Sequence, residues 1–294
     1  MRIRVANAPV SWGIMEVEGW SPPFPHSTFL DELQGAGYTG TELGPYGYLP
    51  TDPAALRKEL EGRGLTLTSA FVPLDLKDAA LDLAPAREVA ALLEALGARY
   101  LVLADAMWPE REAVAGRAEQ DGVRLTEREW QTAADNVRAA CELAAGHGLR
   151  PVFHHHAGTY IETPDECERL LERTGVGLCL DTGHYVYGGG DPVKAVEALG
   201  QRVEYLHFKD INPARLAQVR ERRMGFLDGV RHGVFCPLGD GAVRFPALLD
   251  ALRRIDFDGW AVVEQDIDAT DPAAPPPAQS ARASREYLRS RLCL

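Results

Sequence analysis

Short runs of β-branched and aliphatic residues alternate with longer stretches of helical periodicity from one end of the chain to the other. That alternation predicts repeated βα units around a parallel sheet. In the first half the strands read as IRVANA from Ile3, GTEL ending at Leu43, TLTSAF ending at Phe71 and YLVLAD ending at Asp105. The second half supplies PVFHHH ending at His156, VGLCLD ending at Asp181, VEYLHFKD ending at Asp210 and WAVVEQD ending at Asp266. Together they make eight.

The helix starts between these runs carry their own signals. Thr126 with Glu129, and Thr163 with Glu166, have the spacing of a capping box. Thr51-Asp52-Pro53 and Asp191-Pro192 place a cap residue before a proline at the first helical position, where its missing N–H is harmless. Leu248, Leu249, Leu252 and Ile255 recur at helical spacing, and Pro272 to Pro277 reads as a short link to a last amphipathic helix. An open dinucleotide-binding sheet calls for GxGxxG at its first turn, and here the chain reads NAPVSWG. The expectation is an α/β fold, a (β/α)₈ TIM barrel, with residues 1–294 as a single domain; such barrels need about 250 residues.

Composition narrows the function classes. Hydrophobic content of 46% and charged content of 25% are those of an average water-soluble domain. A formal net charge of −12 opposes phosphate-backbone binding, so no nucleic-acid partner is expected. Cys141, Cys167, Cys179, Cys236 and Cys293 form no CxxC pair, which argues for a reducing compartment. The start MRIRVANAPVSWG lacks the apolar stretch of a secretory signal, and no apolar run approaches the ~20 residues of a membrane span. A cytoplasmic protein with no membrane partner is the expectation.

In a parallel barrel, chemistry collects at the C-terminal strand ends. Glu42, His154, His155, His156, Asp181, His184, His207, Lys209, Asp210, Glu264 and Asp266 all fall there. Five of the eight histidines are in this set; His26, His147 and His232 lie elsewhere. Strand alternation puts His154 and His156 on one face and His155 on the other. With His154 inward, it joins Asp181, His207 and Glu264 in a ring drawn from the last four strands. Two imidazoles and two carboxylates suit Mn²⁺, Co²⁺, Fe²⁺ or Zn²⁺ and are too nitrogen-rich for Ca²⁺. The expected cofactor is one divalent ion, Mn²⁺ or Co²⁺ first, with Zn²⁺, Fe²⁺ or Mg²⁺ as alternatives. Any one of these residues alone also fits a hydrogen-bonded barrel position or a turn. Lys209 shares the inward face of His207 and suits either a substrate oxygen or a buried salt bridge to Asp181, Glu264 or Asp210. His184 fits a turn over the metal or a solvated loop. Trp12, with Asn7 and Ser11, suits the floor of a sugar-sized pocket or plain core, and Glu42 and His156 complete the substrate-binding candidates. The Arg- and Gly-rich segment from Ala214 to Cys236 fits a lid or a subunit contact. A homo-oligomer is compatible with the sequence, which does not determine the oligomeric state.

At LCLDTGH, VEYLHFKD, LGDGAVRFPALLDAL and WAVVEQD, and at ANAPVSWG and TGTELGPYGYLP, the chain resembles the xylose-isomerase-like barrel superfamily of sugar isomerases, epimerases and dehydratases. Through ANAPVSWG, HHHAGTYIET, DTGHYVYGGGDP and VEQD it is most similar to the inosose dehydratase branch, which removes water from 2-keto-myo-inositol. The resemblance implies metal ligands at His154, Asp181, His207 and Glu264, and a small polyol or sugar substrate. Many epimerases and isomerases of the superfamily carry Glu where this chain has His154, so His154 is either a ligand or a proton-transfer group. The expected reaction is dehydration of a cyclic keto-polyol. Glu264 and one of His154, His156 or His184 would divide the base and acid roles, and Lys209 would stabilise the enolate. The alternatives are a metal-dependent ketose isomerase or epimerase, a phosphodiesterase on damaged DNA, which the acidic balance opposes, and an inactive polyol-binding barrel.

Overall fold

The computed structural model describes residues 1–294 apart from 18, 21, 22, 272 and 273. Eleven strands are formed among them: β1 Arg2–Asn7, β2 Gly40–Glu42, β3 Thr66–Ser69, β4 Phe71–Leu74, β5 Tyr100–Asp105, β6 Arg150–His154, β7 Gly177–Asp181, β8 Val203–Phe208, β9 Asp210–Ile211, β10 Phe235–Cys236 and β11 Asp258–Val263. Nine lie in one sheet, in the order β3-β2-β1-β11-β8-β7-β6-β5-β4, and every pair in it is parallel. Its two ends, β3 and β4, are consecutive in the chain and separated only by Ala70. The Leu43 N–H donates to Ser69 O on one side of that break, and the Val102 N–H donates to Ala70 O on the other, at 3.0 and 2.9 Å. The cylinder therefore closes through one bent stave, so the run expected as a single strand ending at Phe71 is two strands with different neighbours.

Three other expected strands stop early. β6 ends at His154, β8 at Phe208 and β11 at Val263, the last two paired end to end. His155, His156, Lys209, Glu264 and Asp266 thus sit in the loops just beyond. Asp210 continues instead into β9, which pairs antiparallel with β10.

Helices cover the outside. Those at Glu127–Gly146 and Pro164–Thr174 begin with the predicted capping boxes at Thr126 and Thr163, and Asp52 and Asp191 cap the helices that start at Pro53 and Pro192. Leu248, Leu249 and Leu252 are buried on helix Phe245–Arg254. The Pro/Ala-rich link begins at residues 272 and 273, outside the described residues, and helix Pro277–Leu292 follows it.

Beside the barrel mouth, the fully buried Arg111 guanidinium donates two hydrogen bonds to Glu166, at 2.9 and 3.0 Å, and a third to Val123 O. Glu166 also accepts from the Thr163 N–H in its capping box. Glu166→Ala should leave Arg111 buried without its hydrogen-bonded carboxylate and remove the half of the capping box that the Glu166 side chain supplies. A loss of about 3–5 kcal/mol in urea unfolding is expected, and a loss under ~1 kcal/mol would contradict this role.

Candidate active site

Alternation along the staves decides which side chains enter the barrel. Val102, Val152, Cys179, Tyr205 and Val262 form a buried cluster inside it, while Leu101, Phe153, Leu178, Leu180, Leu206 and Phe208 pack in the layer under the helices. Two residues beyond four of the inward positions come His154, Asp181, His207 and Glu264. All four project into the mouth. They are buried, and one ligand atom from each lies within 4.8 Å of those of the others.

His207 Nδ1 is 3.1 Å from Glu264 Oε2 and 3.9 Å from Asp181 Oδ2, and His154 Nε2 is 3.5 Å from Asp181 Oδ2. Two of the four are held from behind, Asp181 and His207. Asp181 Oδ1 accepts from the His184 N–H at 2.7 Å, capping the short helix Thr182–Tyr187, which leaves Oδ2 for the centre. His207 Nε2 lies 2.9 Å from Glu42 Oε1, which also accepts from Ser69 Oγ at 2.8 Å. A carboxylate on that nitrogen fixes it as the donor and turns the Nδ1 lone pair toward the cluster, as metal-binding histidines require. Asp181 Oδ2 and His207 Nδ1 are buried and make no hydrogen bond. Unpaired buried lone pairs aimed at one point fit a divalent cation, and the N₂O₂ donor set suits a transition metal.

The charges respond to this crowding. Burial alone would raise the Asp181 carboxyl, but Lys209, His184 and His154 hold it well below the ordinary range. Burial is likewise outweighed at Glu264, which His207 and Lys209 bring down to about 2. For His207 burial favours the neutral ring, yet Cys179, Glu264 and Glu42 keep its pKa well above the usual value.

Lys209 is the hub of the next layer. Its ammonium lies 2.6 Å from Asp266 Oδ1, 2.9 Å from His184 Nε2, 3.2 Å from Glu264 Oε2 and 3.4 Å from Asp181 Oδ2. The salt-bridge reading of this residue therefore holds for Asp181 and Glu264, with Asp266 as its tightest partner. His184 is fully buried on a short helix, where the sequence suggested a turn or a solvated loop. His156 packs against it with ring centroids 3.8 Å apart and the planes tilted by 38°. The His156 Nδ1 is 2.7 Å from Ala157 O, so it donates there and leaves Nε2 free. Burial depresses both rings, His156 to about 3. His155 points the other way, as alternation requires, and packs against Tyr185.

Residues 213–236 form a roof. Helices Pro213–Glu221 and Phe226–Arg231 with β10 contribute most of a second apolar cluster. Phe226 packs 5.1 Å from the His156 ring and Phe235 5.4 Å from the His184 ring. Of the two expectations for this segment, covering the mouth is the one the packing fits.

Under the roof is a cavity of about 520 Å³, walled by His154, His156, Lys209, Glu264 and Asp266, with Glu42, Phe71 and Asp105 among its other neighbours. That size is within the range of small-molecule sites. Asn7 and Trp12, expected as substrate contacts, do not line it. Asn7 has the parity of Val5, facing the helix layer, and its Oδ1 accepts from the Ala8 N–H. The Trp12 indole donates to Glu32 and packs edge-on against Phe29, 4.8 Å away. Ser11 accepts from the Gln265 N–H. Glu42 borders the cavity, but its hydrogen bonds are to Ser69 and His207.

Asp105 was missed as a candidate. It accepts from the Tyr160 N–H at 2.8 Å and from the Trp108 indole at 3.3 Å, joining two loops of the cavity wall. Burial pushes its carboxyl up to about 7. The signal was present: YLVLAD ends on a strand-end carboxylate just as VGLCLD does.

The model of the family described as xylose isomerase-like TIM barrel matches residues 30–291. The chain is 32% identical over 295 residues to the inosose dehydratase of Geobacillus kaustophilus (strain HTA426), covering 97% of this chain and 93% of that protein. It is 34% identical over 292 residues to the rhizopine catabolism protein MocC of Rhizobium meliloti, covering 98% and 88%. Among solved structures, a probable 3-DHS dehydratase, AsbF, from Bacillus anthracis superimposes with a TM-score of 0.68 at 19% identity, covering 98% of this chain and 100% of that one. The IOLI protein with a bound zinc atom gives 0.69 at 16% identity, covering 98% and 99%. These two likenesses establish the shared fold.

Asp105 supplies a pH test. With a folded pKa of about 7 and an unfolded one near ~4, only the folded chain keeps the proton between those values. Stability therefore falls as pH rises through that window. Asp105→Asn lacks this loss, so its stability relative to the parent should climb by up to ~1.4 kcal/mol per pH unit from about pH 4 to 7 and level off above. Urea titrations across that range check it, and a difference independent of pH would contradict it.

Proposed function

The chain belongs to the xylose isomerase-like TIM barrel family, and from that premise we propose that it is a hydro-lyase that removes water from a cyclic keto-polyol such as 2-keto-myo-inositol, using one divalent metal ion. The observation that carries the metal is the convergence of His154, Asp181, His207 and Glu264 on one point with unpaired donor atoms. Relatives named inosose dehydratase at about 30% identity over nearly the whole chain support the substrate class. In this reading residues 1–294 act as one barrel unit in the cytoplasm, and Mn²⁺ or Co²⁺ is the resident ion. No described helix is long and apolar enough to cross a membrane.

An ion held by His154, Asp181, His207 and Glu264 would polarise the keto group and its neighbouring hydroxyl, making the adjacent C–H acidic. The side chains do the rest. His156 faces the cavity with its Nε2 lone pair unengaged, so it is placed to take the α-proton. The C–H electron pair moves into the carbon framework as the β-hydroxyl leaves. The imidazolium so formed returns its proton to that hydroxyl, which departs as water, and the resulting enol becomes a diketone. Lys209, fixed at the cavity wall, opposes the negative charge that builds on the keto oxygen. Phe226 and Phe235 shield His156 and His184 from solvent.

Isomerisation or epimerisation of a ketose is the second reading. A symmetric exchange between two glutamates needs a carboxylate where this chain carries His154, and that asymmetry favours elimination.

Two variants test the centre. His207→Ala should hold no metal and show no turnover, read by elemental analysis and by the ultraviolet absorbance of the diketone and its enol. A metal-free variant with full activity, or inversion of a ketose carbon without water loss, would end the proposal. Glu42→Gln keeps the shape but removes the charge behind His207. It should weaken metal affinity by about 10–100-fold, measured by competition with a chelator.

A further inference from the structure

Beyond the ring of His154, Asp181, His207 and Glu264, a second group has metal-ligand geometry: one ligand atom each from His156, His184 and Asp266 lies within 4.8 Å of the others. Its chemistry is equally suited to a transition ion, two imidazoles and a carboxylate. The His156 Nε2 is left free by the hydrogen bond of Nδ1 to Ala157 O. An ammonium only donates, and its 2.9 Å contact outweighs the 3.4 Å approach of the Ala157 N–H to Nδ1, which assigns the lone pair to His184 Nε2. Asp266 Oδ2 is buried and has no hydrogen bond.

What stands there is Lys209. Its ammonium is 2.6 Å from Asp266 Oδ1 and 2.9 Å from His184 Nε2, and it also reaches the inner edges of Glu264 and Asp181 at 3.2 and 3.4 Å. The chain runs to this place along the inward parity of β8, two residues past His207. A lysine side chain with no exposure would be costly here without such partners. Gly183 makes the approach feasible: a Cβ on it would sit 2.7 Å from Lys209 Cγ.

We propose that Lys209 is the built-in cation of a second metal-competent site, formed by His156, His184 and Asp266, and that its ammonium restricts the centre to a single divalent ion. The inference rests on the metal centre described under the proposed function. Four carboxylates, Glu42, Asp181, Glu264 and Asp266, are buried within this one region. One divalent ion and one ammonium meet most of that charge. Removing the ammonium leaves Asp266 facing two imidazole lone pairs with no cation among them, which is the condition for recruiting another ion.

The test loads the intact protein with Co²⁺, removes unbound metal by gel filtration and counts cobalt per chain. The parent should hold one equivalent, Lys209→Ala two, and Lys209→Ala with Asp266→Asn one again. Two equivalents in the parent, or one in a natively folded Lys209→Ala by circular dichroism, would overturn the inference and leave the metal centre standing. No cobalt in the parent would overturn both. Where Lys209→Ala does not fold, anomalous scattering from Co²⁺-soaked parent crystals decides. A single peak inside the His154, Asp181, His207, Glu264 ring supports the inference; a peak among His156, His184 and Asp266 overturns it.

Discussion

The structure depends on one electrostatic constraint: several carboxylates share a small, water-poor space at the top of a barrel. Glu42, Asp181, Glu264 and Asp266 are each 7% exposed or less. Charges removed from water persist only when opposite charge and hydrogen bonds surround them. The arrangement of the neighbourhood follows from this need. Lys209 bridges Asp181, Glu264 and Asp266, His207 lies between Glu42 and Glu264, and the His184 N–H takes the Asp181 oxygen that faces away.

The barrel meets that need by geometry. Closed parallel staves send every second residue inward, and the apolar layer of Val152, Cys179, Tyr205 and Val262 supports the polar layer above it. Tyr205 closes the floor by hydrogen bonds to Ser69 and Thr68, and Ser69 passes the connection to Glu42 and so to His207. His207 is thus held by a network that begins at strands β2 and β3, across the cylinder. Above them, aromatic rings from residues 226 and 235 exclude water, and Asp105 ties the loops of the wall together.

The site is also asymmetric. Glu264 is held ionised while His156 is held neutral, by opposite balances of the same forces: neighbouring cations outweigh burial at Glu264, and burial prevails at His156. A carboxylate kept charged to hold an ion beside an imidazole kept neutral to carry a proton suits a reaction in which a proton leaves carbon and arrives at oxygen, more than one in which it is exchanged between equivalent groups.

Much of this was legible in the residue order. Hydrophobic periodicity indicated the βα alternation, cap residues at Asp52, Thr126, Thr163 and Asp191 marked four helix starts, and strand parity sorted His154 from His155. These are local properties, fixed by spacing along the chain. Local pattern could not show that the stave near Ala70 breaks and changes partners, that Asn7 turns toward the helix layer, or that the Trp12 indole is occupied by Glu32. Nor could it choose between the readings of Lys209 and His184, because their partners are contributed by residues as distant as Asp266. Those outcomes depend on which staves become neighbours when the cylinder closes, and that is settled by contacts between segments far apart in sequence.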